Sequence, residues 1–92
     1  MISRQVTVRN QLGMHARAAA RFVHAASAFT SQVRVGRGAR VMDGKSIMGI
    51  LLLAAARGSV ITISAEGPDE AQALDALCQL VDSGFGEEPC TA

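Results

Sequence analysis

The chain has 92 residues, 49% of them hydrophobic, with neither tryptophan nor tyrosine and a formal net charge of +1. That length supports one domain with a single modest aliphatic core, and we read residues 1-92 as one unit. A charge so close to zero provides no overall field to draw the chain to nucleic acid or to an anionic membrane, so neither is expected as a partner.

Residues 2-9 alternate Val6 and Val8 with Gln5, Thr7 and Arg9, the period of a half-buried strand. The stretch Asn10-Gln11-Leu12-Gly13-Met14-His15-Ala16-Arg17 then passes through a glycine turn into an alanine-rich helix. His15 therefore stands where the first N–H groups of a helix lack internal acceptors and the helix dipole is positive, which is an anion-binding position. A neutral imidazole is a nucleophile, and the permanently charged Arg17 would clamp phosphoryl oxygens. The same residues would also serve as a turn residue and a solvated helix charge, and this pair alone does not choose between the two readings.

Helical spacing in this first helix predicts a buried stripe of Ala16, Ala19, Ala20, Val23 and Ala26, flanked by Phe22 and Phe29, with Arg17, Arg21 and His24 together on another face. Val33 and Val35 then alternate with Gln32 and Arg34, Gly36-Arg37-Gly38 turns the chain, and Arg40 to Asp43 returns as the hairpin partner. Arg34, Arg37 and Arg40 around this hairpin could contact phosphates, but they read as solvated turn charges, because the chain has neither aromatic stacking residues beside them nor overall basicity.

Ser46 is placed to cap a short helix that reaches Leu53 or slightly further, with Arg57-Gly58 as its exit. Ile47, Met48, Ile50, Leu51, Leu52 and Leu53 surround that helix with more apolar surface than one sheet contact can bury. We assign Ile47 and Ile50 to the core and Met48, Leu51 and Leu52 to a docking surface, where an adaptable thioether suits varied partners. Arg17, Arg21 and His24 would give that surface a basic rim able to steer an acidic partner.

Val60 to Ala65 is the run with the strongest strand pattern, and Gly67-Pro68-Asp69-Glu70 opens the last helix, with the acids complementing its dipole. Its inner stripe is Ala71, Leu74, Leu77, Cys78 and Val81, and Gly84 ends it. Asp69, Glu70, Asp75 and Asp82 read as solubilising helix charges. The longest apolar run, Ile47 to Ala56, is too short to span a bilayer, and the first residues carry no export signal, so a cytoplasmic location is expected. In that compartment Cys78 and Cys90 are expected as reduced thiols.

Neither His-x-x-x-His nor Cys-x-x-Cys spacing occurs, nor a supported Ser-His-Asp set, so no metal, cofactor or complete turnover chemistry is expected. Strands with one apolar face, interleaved with three helices, predict an α+β fold in which helices cover one side of an antiparallel sheet. A ferredoxin-like split arrangement also accommodates this pattern.

Three motifs in order, Gly13-Met14-His15-Ala16-Arg17, Lys45-Ser46-Ile47-Met48-Gly49-Ile50 and Ile61-Thr62-Ile63-Ser64-Ala65-Glu66-Gly67, resemble the HPr family. These are the histidine phosphocarriers of the phosphoenolpyruvate:sugar phosphotransferase system, and the likeness covers nearly the whole chain. It implies an open-faced β-sandwich with four strands in the order 1-4-2-3 under three helices. It implies that His15 accepts a phosphoryl group on its pros nitrogen from enzyme I and passes it to an enzyme IIA, with Arg17 and the Ala16 and Arg17 backbone holding the phosphate. By the same resemblance Ser46 is the regulatory phosphosite of an HPr kinase/phosphorylase. A purely regulatory module, docking a transcription regulator or kinase through phospho-Ser46, is the alternative. The family usually has proline at the position of Ala18. Gly13-Met14 and the ending Val81-Asp82-Ser83-Gly84-Phe85-Gly86 resemble the nitrogen-related branch, NPr, so sugar and nitrogen pathways both stay open. A monomer without membrane insertion is expected.

Overall fold

In a computed structural model, which describes residues 1–86, the alternating runs become strands β1 (Ile2–Thr7), β2 (Gln32–Arg37), β3 (Arg40–Asp43) and β4 (Val60–Glu66). The helical runs become α1 (Ala16–Ser27), α2 (Ile47–Leu52) and α3 (Glu70–Asp82). The strands form one antiparallel sheet in the order β1-β4-β2-β3. This is the open-faced sandwich order and not a split ferredoxin-like arrangement.

Register explains which face is buried. Val35 pairs with Ile63 on one side and Met42 on the other, Val33 pairs with Ala65, and Val6 pairs with Ile61. Because side chains alternate along each strand, these residues share one face and meet the helices. Val33, Val35, Ile61, Ile63 and Ala65 are all buried, joined from the helix layer by Phe22, Ile50, Leu53, Leu77, Val81 and Phe85. The other face carries Gln5, Arg34, Thr62 and Ser64, none of them buried. Helix α3 lies over β1 and β4, α1 packs between α3 and α2, and α2 leans on β3. None of these helices is long and apolar enough to cross a membrane.

The phase of α1 differs from the expected stripe. Ala18, Ala19, Phe22 and Ala26 are buried and Val23 is half-buried, while Ala16 and Ala20 face solvent. Alanines give the pattern almost no phase, whereas burying the Phe22 ring removes far more apolar area than an alanine methyl does, so the ring sets the rotation. In α3, likewise, Ala73 is buried with Leu74, Leu77, Cys78 and Val81, and Ala71 is exposed. The helix ends in a Schellman motif: Phe85 N–H donates to Leu80 O at 2.8 Å and Gly84 N–H to Val81 O at 3.0 Å, with Gly84 at φ 71°. Burial pushes the Cys78 thiol pKa up, which keeps it an inert core group. Cys90 lies outside the described residues.

Helix α2 ends within a residue of the expected Leu53, but its exit comes earlier than expected. It stops at Leu52 with Leu53 as C-cap, and Ala54 follows at φ 51°, well before Arg57-Gly58. Ile50 and Leu53 fill the interior, whereas Ile47, expected in the core, is 44% exposed.

Candidate functional site

The loop between β1 and α1 is closed locally before it presents anything. Gly13 N–H donates to Asn10 O at 3.1 Å, and the Asn10 side-chain amide donates to Gly13 O at 2.6 Å. Gly13 has φ 66°, and a Cβ there would lie 2.5 Å from Ala55 O, so only glycine lets the loop rest on the segment leaving α2. Met14 N–H donates to Ala55 O at 2.9 Å and its side chain is buried. The loop is thus anchored one residue before His15.

His15 is the N-cap of α1, with extended backbone (φ −74°, ψ 179°). Its Nδ1 accepts from the Arg17 N–H at 3.3 Å, and its carbonyl accepts from Ala19 N–H at 2.8 Å. A 3.3 Å contact is long for such a bond, so this N–H is readily given up to a better acceptor. No acidic residue occupies the first turn of α1, so the helix's own first turn does not offset its positive end. The half-buried imidazole therefore holds its δ nitrogen at a helix start whose amides are oriented for an anion. Ala16 and Arg17 are exposed at the first two helical positions, and the Arg17 side chain enters no ion pair among the described residues.

Arg21 and His24 follow on the exposed side of α1, one and two turns on. Arg21 is more than a rim charge: its Nη1 donates to Phe85 O and ties α1 to the turn after α3. Ser46 is the N-cap of α2, its Oγ accepting from Gly49 N–H at 3.1 Å. On α2, Met48 is 68% and Leu52 52% exposed, while Leu51 is half-buried against the core.

Leu12, in the turn that leads to His15, is a further exposed aliphatic at 70%, and Ile47 on α2 is 44% exposed. Sequence reading passed over Leu12, although a large aliphatic residue beside a turn glycine was itself a signal. Asp69, Arg37 and Arg40, expected as solvated charges, are instead bonded to backbone groups. Among the described residues no three His, Cys, Asp or Glu gather as a metal site would require.

The family described as "PTS HPr component phosphorylation site" matches residues 2–83. The chain belongs to the HPr family. The phosphocarrier protein HPr of Cupriavidus necator is 48% identical over 87 residues, covering 95% of this chain and 98% of that protein. The phosphocarrier protein NPr of Shewanella violacea is 41% identical over 86 residues, 94% of each. A crystal structure of HPr-C-His from Thermoanaerobacter tengcongensis superposes with a TM-score of 0.92 at 45% identity, covering 96% of this chain and 99% of that one. The chain is thus a phosphocarrier of the HPr/NPr type in the phosphotransferase system. Against the proline usual in HPr proteins, Ala18 is fully buried at the third helical position, where an N–H has no intrahelical acceptor in any case. Alanine there keeps the turn and forgoes only the ring's stiffness.

Proposed function

We propose that this HPr-family chain carries a phosphoryl group on His15 Nδ1 between enzyme I and an enzyme IIA, in the cytoplasm and as a single-domain monomer. The observation that carries the reading is the aim of Nδ1 at the Arg17 N–H at the start of α1, whose first turn contains no acidic residue. The Nδ1 lone pair attacks the donor's phosphorus. A new N–P bond forms as the bond from phosphorus to the donor atom breaks, and that atom leaves with the electron pair. Handing on to the acceptor reverses these roles, so the carrier ends unchanged. As Nδ1 gains phosphorus, it can no longer accept from Arg17, and that N–H passes to a phosphoryl oxygen. The Ala16 N–H and the Arg17 guanidinium add charge-matched donors.

Docking falls to the surface of Leu12, Ile47, Met48 and Leu52, rimmed by Arg17, Arg21 and His24. An apolar centre with a basic rim lets the chain meet a donor and an acceptor through one face and release both. Phosphorylation of Ser46 by an HPr kinase/phosphorylase would add a dianion at the start of α2, beside exposed Ile47 and Met48, and act as a brake. Offering the labelled chain to sugar-specific and nitrogen-related enzyme IIA proteins identifies the branch by which of them is phosphorylated.

The decisive experiment incubates the chain with enzyme I and labelled phosphoenolpyruvate. The expected product is acid-labile and alkali-stable, and maps to His15. His15→Ala remains folded and unlabelled, because a half-buried cap contributes little to the core. Arg17→Ala slows labelling roughly 10- to 100-fold, the worth of a charge-assisted hydrogen bond. A stable phosphoester as the sole product overturns the assignment.

A further inference from the structure

The end of α2 is finished by residues that are not its own. This six-residue helix has no basic residue in its last turn. Ile50 O accepts from Leu53 N–H at 3.2 Å and Leu51 O from Ala54 N–H at 3.1 Å, which leaves the next two carbonyls unserved by local backbone. Both are taken from the β2–β3 hairpin: Arg40 Nη1 donates to Leu52 O at 2.9 Å and Arg37 Nη1 to Leu53 O at 3.0 Å. Two residues on, Ala55 O accepts the Met14 N–H, so the loop bearing His15 hangs from the same segment.

Hairpin stability does not account for this pair of arginines. Arg37 and Arg40 stand directly opposite each other across the ladder, an arrangement that like charges disfavour. Two guanidiniums side by side are relieved when both find adjacent acceptors of negative character, and consecutive carbonyls at a helix end are such acceptors. Carbonyl acceptors also leave the arginines without a countercharge that would compete for a partner's acids.

We propose that Arg37 and Arg40 are positioning residues for phosphotransfer: they brace the Leu52–Ala55 segment, and thereby hold both the exposed Leu52 of the docking surface and the loop ahead of His15. Neither touches the phosphoryl group. The inference rests on the carrier reading above and names the residues that set its geometry.

The test compares wild type with Arg37→Ala/Arg40→Ala and with Arg37→Lys/Arg40→Lys, each first shown to be folded by its melting curve. Amide hydrogen exchange is read at Met14 and Ala54, with Leu77 in α3 as the remote control. Loss of the brace should speed exchange at Met14 and Ala54 by roughly 2- to 10-fold, the range for one or two ordinary hydrogen bonds, and leave Leu77 unchanged. In enzyme I-dependent labelling the alanine variant should show a KM for the carrier raised on the order of fivefold, with kcat altered less than twofold, because binding geometry is loosened while the nucleophile is intact. That KM defect should persist at 0.5 M salt, and the lysine variant, which keeps a donor and charge but on a shorter, flexible stem without the planar fork, should recover only part of it.

Unchanged exchange at Met14 with unchanged KM overturns the brace. So does a defect that vanishes in high salt and is fully restored by lysine, since that marks simple electrostatic steering. Failure of wild type itself to be labelled on His15 would instead overturn the carrier reading, so the two failures are separable.

Discussion

Ala54 is a non-glycine residue held in a left-handed conformation close to the site. It follows the C-cap of α2 at φ 51°, where an L-residue pays roughly 1–2 kcal/mol for the approach of its Cβ to the following carbonyl. The left-handed step immediately precedes Ala55, whose carbonyl receives the Met14 N–H. Glycine removes the clash but adds about 0.5–1 kcal/mol of unfolded-state entropy, so Ala54→Gly should stabilise by a net of about 0.5–1 kcal/mol. For a chain of this size that is a rise in melting temperature of roughly 2–6 °C, read by calorimetry. A lower melting temperature would mean that residue 54 is not left-handed in solution. The absence of glycine here also explains why the sequence placed the exit of the helix at Arg57-Gly58, the conventional stop signal, although its end near Leu53 was legible.

At the scale of the element, α2 joins two duties at one residue. Six residues are too few for a helix to persist on propensity alone, so the Ser46 cap and the buried Ile50 carry much of its stability. Ser46→Ala deletes the acceptor for Gly49 N–H and should cost about 1 kcal/mol in a denaturation midpoint. Ser46→Asp keeps an acceptor and should cost less, yet it sets a carboxylate beside the docking surface. Kinetics should therefore run opposite to stability. In enzyme I-dependent labelling across carrier concentrations, the aspartate variant needs more carrier for the same rate, and the alanine variant stays near wild type. Equal kinetics for all three would leave Ser46 with its capping role alone.

Across the whole molecule, Asp69 joins elements far apart in the chain. Its carboxylate accepts from the Ser31 hydroxyl, from Thr30 N–H at 2.9 Å and from Ser31 N–H at 2.9 Å, locking the entry of β2 to the entry of α3. These donors, led by the Ser31 hydroxyl and then the Thr30 amide, favour the ionised form and lower its pKa from 3.8 to about 2. A depressed carboxylate stabilises the fold above its unfolded pKa, and this contribution is lost as pH falls from near 4 through 2. Asp69→Asn should consequently melt below wild type at pH 7, with the gap narrowing toward pH 2 as the wild-type carboxyl takes up its proton. A gap independent of pH in thermal melts would show that the carboxylate's charge does not matter to the clamp. The same residue read in sequence as a solubilising charge, since its partners lie 38 and 39 positions away.

Local chemistry determined much of this protein before any folding was considered. Strand alternation located Val33, Val35, Ile61 and Ile63, the glycine turn and alanine run put His15 at a helix start, and Gly84 ended α3, because each signal acts within a few residues. Three motifs spaced along the chain sufficed for the family and, through it, for the strand order. Tertiary structure decided the rest. The rotation of α1 was set by the Phe22 ring and not by its alanines, and Ile47 was turned outward once Ile50 and Leu53 had filled the interior. Leu12 was left exposed in the turn before His15, and Arg37, Arg40 and Asp69 bonded to backbone groups on other elements. The division has one physical reason: periodicity and capping are local, whereas a helix's rotation and a charged side chain's partner depend on what the fold brings alongside.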